Sequence, residues 1–168
     1  MKFNRSIALG FASMALAVSA TTAPASADAP RTATDPRVEA ITTMDGTEVG
    51  QVTHHKRGDG TQPPAELGDP EEWGVVTIEM DDSTMRPMVE NCDNPPSGGK
   101  WCYGWYLTEA GTKKYCYSNY YHGTKTHKSS VTIGNGSSSS GWVGKGEYAN
   151  ANRTVGMTYV CKTYYATK

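Results

Sequence analysis

Large apolar and aromatic side chains are scarce in the first half of the chain once its N-terminal leader is passed. All ten tyrosines lie at or after Tyr103, and Trp73 is the only tryptophan before Trp101. A segment so poor in these groups has little to set against the entropy of ordering its backbone, so the folded core is expected after residue 97. Acidic residues are scarce in the other half: between Gly98 and Lys168 there are only two, Glu109 and Glu147. Catalysis by paired carboxylates would have to use those two. The sequence also lacks a G-x-S-x-G elbow, a C-x-x-C pair and any Cys/His cluster at ligand spacing. No serine hydrolase and no structural zinc are therefore expected. No helical period appears after the leader, and the one apolar run is well short of the roughly 20 residues that span a bilayer. The expectation is a protein with no catalytic residues, no metal and no cofactor.

What is present begins with an export signal. Lys2 and Arg5 form a basic n-region, Ile7 to Val18 an apolar h-region, and Ala25-Ser26-Ala27 a small-x-small cleavage site. Residues 1–27 thus read as a signal peptide and the protein as secreted and extracellular. In an oxidising compartment Cys92, Cys102, Cys116 and Cys161 are expected to form two disulfides. Three connectivities are open. Cys102 and Cys116 fall on consecutive antiparallel strands, which favours a bridge across one hairpin and leaves Cys92 for Cys161.

Charge divides the chain as aromatics do. From Asp28 to Ser97 there are 15 acidic and 5 basic residues, a net −10; from Gly98 to Lys168 there are 9 basic and 2 acidic, a net +7. Residues 28–97 read as an acidic, largely irregular arm or pro-segment with short strands at Glu48–Thr53 and Trp73–Ile78, the second an outer strand. Residues 98–168 read as strands. Trp101, Tyr103, Trp105 and Leu107 alternate onto one face, and Tyr115, Tyr117 and Tyr121 onto one face of the next strand. Glu109–Thr112 and His122–Lys125 are turns, Ser129–Ile133 a third strand, Gly134–Gly141 a flexible loop, and Trp142–Ala149 and Met157–Tyr165 two more strands. Short strands with glycine-rich turns predict an all-β fold, a small disulfide-tied sandwich of antiparallel sheets.

Several short motifs have bland explanations. Arg57-Gly58-Asp59 is a three-residue match in a polar loop. His54-His55 is too small to be a metal site, and His122 and His127 read as exposed turn histidines. Tyr120 and Tyr121 cannot both face inward on a regular strand, so aromatic surface is expected outside.

The run Tyr117-Ser118-Asn119-Tyr120-Tyr121-His122-Gly123-Thr124-Lys125-Thr126-His127 resembles the signature of lactococcin 972-type bacteriocins. Gly98-Gly99-Lys100-Trp101-Cys102-Tyr103-Gly104 is similar to the family's start, and Gly141-Trp142 and Tyr159–Tyr165 to its close. The resemblance covers Gly98 to Lys168; the cysteines and the acidic arm go beyond the family's minimal domain. It implies an exported antibacterial protein with a β-sandwich of two small sheets, which binds the cell-wall precursor lipid II and blocks septum formation without forming pores. The expected partner is that precursor on sensitive bacteria. No nucleic acid is expected, the membrane is met only through the target, and a homodimer is left open. Candidate binding residues are Tyr120, Tyr121, His122, Lys125 and His127. The competing functions are a secreted inhibitor of proteases or other enzymes, presenting the Glu109–Lys113 turn, and a wall hydrolase using Glu109 and Glu147.

Overall fold

The computed structural model describes residues 36–42, 48–80, 91–157 and 160–168. The leader, the acidic stretch up to residue 35 and the break at Asp81-Asp82 lie outside the described residues. Among those described, ten strands form two antiparallel sheets. In chain order they are β1 (Arg37–Thr42), β2 (Glu48–Lys56), β3 (Glu72–Glu79), β4 (Asn91–Asp93), β5 (Lys100–Thr108), β6 (Lys113–Tyr121), β7 (His127–Ile133), β8 (Gly136–Ser139), β9 (Tyr148–Val155) and β10 (Val160–Thr167). One sheet runs β1-β2-β3-β10-β7-β8 and the other β4-β5-β6-β9. A single core of residues from both sheets fills the space between them, among them Val76, Ile78, Trp101, Tyr120, Val131 and Tyr165. The expected all-β sandwich is the fold.

Period-two alternation sets which side chains fill that core. On β5, Trp101 and Tyr103 are buried and Trp105 packs against the core. On β6 the inward set is Lys114, Cys116, Ser118 and Tyr120, all fully buried. The expected tyrosine face of β6, Tyr115, Tyr117 and Tyr121, is therefore the outer one. Two buried polar groups of β5 and β6 are satisfied: Trp101 Nε1 donates to Ser118 Oγ at 2.9 Å, and Lys114 Nζ donates to the Met80 carbonyl at 2.9 Å.

Three expectations are corrected. Trp73–Ile78 is not an outer strand: β3 lies between β2 and β10. Its apolar residues serve both faces of the sheet. Val76 and Ile78 enter the main core, while Trp73 joins Leu67, Tyr164 and Ala166 in a second cluster. Gly134–Gly141 is not a loop. Gly134, with φ 58°, opens a two-residue turn between Ile133 and Gly136, as hairpins with glycine at the first central position demand. The serines then form β8, a short polar edge strand of the kind that resists further pairing. The expected strand at Trp142–Ala149 reduces to an isolated bridge between Val143 and His127, and the strand proper, β9, begins at Tyr148.

All four cysteines are paired, as Cys92–Cys102 and Cys116–Cys161. The favoured pairing fails for a reason of register. Opposite Cys102 on β6 is Asn119, and opposite Cys116 on β5 is Trp105. Cys102 is outward and Cys116 inward, so no bridge can join them. Cys92 instead sits directly opposite Cys102, and Cys116 crosses the core to reach β10 of the facing sheet.

Candidate functional site

The five residues singled out from the signature run lie where β6 of one sheet passes to β7 of the other. This is a corner between sheets, not a turn at a sheet edge. Three of them are committed to holding it. The Tyr120 ring is fully buried, and its hydroxyl donates to the Gly98 carbonyl at 2.8 Å. Burial pushes that hydroxyl's pKa well above the ordinary tyrosine value. His122, 3% exposed, accepts at Nδ1 from the backbone N–H groups of Thr124 and Lys125. Its proton is therefore on Nε2, which donates to the Ser97 carbonyl at 2.9 Å. His127 is fully buried, with Nδ1 3.0 Å from the Lys125 carbonyl and Nε2 3.0 Å from the Glu147 carbonyl. Neither histidine is an exposed turn residue, because the corner uses both rings as hydrogen-bonding struts.

Tyr121 and Lys125 keep accessible surface. Tyr121 lies opposite Lys100 on β5 and opposite Tyr148 on β9. Directly opposed side chains share a face of the sheet, so Lys100, Tyr121 and Tyr148 form one row across the outer face of three strands. The Tyr121 and Tyr148 ring centroids are 5.0 Å apart, and Tyr148 is 67% exposed. Lys125 Nζ lies 3.8 Å from a Glu71 carboxylate oxygen, an exposed pair that adds little hold on the lysine. Further along the same face, Tyr106 and Tyr115 pair at 4.6 Å, with Asn150 and Asn152 alternating outward on β9. Lys100 and Tyr148 escaped the sequence reading because neither belongs to the signature run. Only the strand register places them beside it.

The remaining motifs can be located. The Asp59 carboxylate of the RGD run is 2% exposed and lies 2.9 Å from His55 Nδ1. It also accepts from the N–H groups of Thr61 and Lys56, and is unavailable to a receptor. Glu109, ion-paired with Lys113 at 2.8 Å, sits at the β5–β6 turn. Glu147 immediately precedes β9, whose Tyr148 pairs with the last residue of β6. The nine-residue β6 thus separates the two carboxylates by about 25 Å, too far for a glycosidase pair, which needs about 5–10 Å. The Glu109–Lys113 turn is not closed by a disulfide, since Cys102 and Cys116 are tied elsewhere.

A second arrangement, on the far strands, was not legible. His54 is 4% exposed; its Nδ1 lies 2.9 Å from the Tyr165 hydroxyl, which donates to Glu72 Oε1 at 3.0 Å. Its Nε2 lies 2.9 Å from Asp93 Oδ2. Glu39 on β1 completes a group whose ligand atoms all lie within 4.8 Å of one another.

Residues 97–165 match a family model described as bacteriocin (Lactococcin_972). The match bears out the resemblance carried by residues 117–127, and it supports a bacteriocin. No curated protein and no solved structure matches the chain. The matched segment holds β5 to β9 and most of β10; β1 to β4 precede it.

Proposed function

We propose that this chain is a secreted bacteriocin that binds a cell-wall precursor of the lipid II class and blocks septum formation. The observation that carries the proposal is the family match over residues 97–165, which contains the whole of the corner and its outer-face row. The chemistry of that row supports it. Lys100 and Lys125 offer ammonium groups to a pyrophosphate. The Tyr121–Tyr148 pair offers flat apolar faces with polar tips, suited to a sugar or the first prenyl units. Tyr120, His122 and His127 act through position only, by fixing the strand end from which Tyr121 projects.

Growth inhibition by the secreted protein, with microscopy of dividing cells, tests the proposal. Arrest at the septum without loss of membrane integrity is expected. Tyr121→Ala and Lys125→Ala are expected to weaken killing while leaving thermal unfolding nearly unchanged, because both side chains stand outside the core. Lysis with released sugars, or killing undiminished in both variants, would refute it.

A further inference from the structure

The Glu39–His54–Asp93 group poses a problem of proton count. The Tyr165 hydroxyl has one proton and gives it to Glu72 Oε1. Its oxygen therefore accepts from His54, which fixes a proton on Nδ1. A neutral imidazole then has only a lone pair at Nε2, and that atom faces a carboxylate oxygen of Asp93 at 2.9 Å. This oxygen is shielded from solvent and receives no hydrogen bond of adequate geometry, while its sister Oδ1 takes the Asn94 N–H at 2.7 Å. Two lone pairs this close repel unless a positive centre stands between them. The ammonium groups of Lys114 and Lys128 are engaged elsewhere, with the Met80 and Glu66 carbonyls. Arg37 faces Glu39 with its side chain more than half exposed.

We propose that Glu39, His54 and Asp93 form a binding site for a divalent transition-metal ion of the zinc class, held by His54 Nε2 and one carboxylate oxygen from each acid. One imidazole and two carboxylates make a donor set such ions accept, with an open position left for water. Bonds of about 2.0–2.2 Å meeting near the tetrahedral angle place neighbouring donors about 3.4 Å apart, and the three ligand atoms here lie within 4.8 Å of one another. The outer partners are also in place. Ligating histidines hand their second N–H to a hydrogen-bond acceptor that fixes the ring, and here the acceptor is Tyr165, itself anchored by Glu72. Access is available because Glu39 and Asp93 line an open cavity of about 190 Å³ walled by Ile41, Val52 and Tyr103. The three ligands come from β1, β2 and β4, so the ion would join the edges of the two sheets. All three precede the segment that matches the bacteriocin family, and the site is independent of the proposed precursor binding.

Titration of the full oxidised secreted protein with zinc chloride, by calorimetry and native mass spectrometry, tests this. One ion per chain is expected, with a rise in melting temperature on zinc addition. Asp93→Asn and Glu39→Gln should each weaken binding by at least about tenfold, the lower bound for losing even an outer partner. Glu39 is half-buried, so Glu39→Gln is expected to fold if Asp93→Asn does not. The charge between His54 and Asp93 is then a proton, and the proposal fails, if zinc neither binds nor shifts the melt. It fails equally if Glu39→Gln, folded, binds zinc as the wild type does.

Discussion

Tyr165 shows how much one side chain settles in this fold. Its ring packs between Trp101 at 4.9 Å and Tyr120 at 5.0 Å, and its hydroxyl joins His54 to Glu72. It lies flat over Gly74, where an added Cβ would stand 2.1 Å from a ring carbon. Gly74→Ala is therefore expected to cost about 3 kcal/mol or more, as overpacking of a rigid core does, and denaturant unfolding will measure it. The reverse holds at Ala110, whose φ of 53° places an ordinary residue in left-handed space at a cost of about 1–2 kcal/mol. Ala110→Gly should relieve much of that cost, for a net gain of up to about 1 kcal/mol by the same measurement, since glycine also gives up more chain entropy on folding. The buried Tyr120 hydroxyl sets a pH limit. Its folded pKa is raised by burial above an ordinary value of about 10, so the folded state keeps a proton that the unfolded chain releases. Its contribution is full below about pH 10 and declines as pH rises beyond that value. Melting temperatures between pH 9 and 11 should fall, and Tyr120→Phe should flatten the fall.

Among the elements, β5 was legible in the sequence because Trp101, Tyr103 and Trp105 alternate in a strict period of two, and β6 because Tyr115, Tyr117 and Tyr121 do. The type of a strand depends on local pattern, whereas its neighbours depend on contacts distant in sequence. The outer position expected for Trp73–Ile78 failed on that distinction, as did the Cys102–Cys116 bridge. The candidate site divides the same way. The signature run pointed to the corner between β6 and β7, but burial turned Tyr120, His122 and His127 into supports, and register brought Lys100 and Tyr148 beside Tyr121. Nothing local could have joined Glu39, His54 and Asp93, which lie on three strands that only the sandwich assembles. The two disulfides should differ in weight. Cys116–Cys161 spans 45 residues and Cys92–Cys102 only 10. Loop-closure entropy predicts that removing the first costs about 4 kcal/mol and the second about 3 kcal/mol. Paired Cys→Ala variants compared by chemical denaturation will order them, and the order is the prediction.

At the scale of the whole molecule, the charge asymmetry of the sequence acts within one folded unit. Among the described residues, basic groups of the C-terminal half meet the acidic half at the Lys125–Glu71 pair and where Lys128 Nζ donates to the Glu66 carbonyl. β3 supplies a full antiparallel partner to β10. A fragment of residues 98–168 would leave β10 as an open edge and expose Tyr164 and Ala166, so it is expected to aggregate where residues 36–168 remain monodisperse in gel filtration. On the proposed function, the sandwich presents the Lys100–Tyr121–Tyr148 row to an anionic wall precursor. Calorimetric titration of the oxidised protein with purified lipid II in detergent micelles tests that claim most directly. The account predicts saturable binding that weakens with added salt, as attraction between exposed charges does, and that falls at least about tenfold in Tyr121→Ala. No heat above that of empty micelles, or equal binding by wild type and a folded Tyr121→Ala variant, would contradict it.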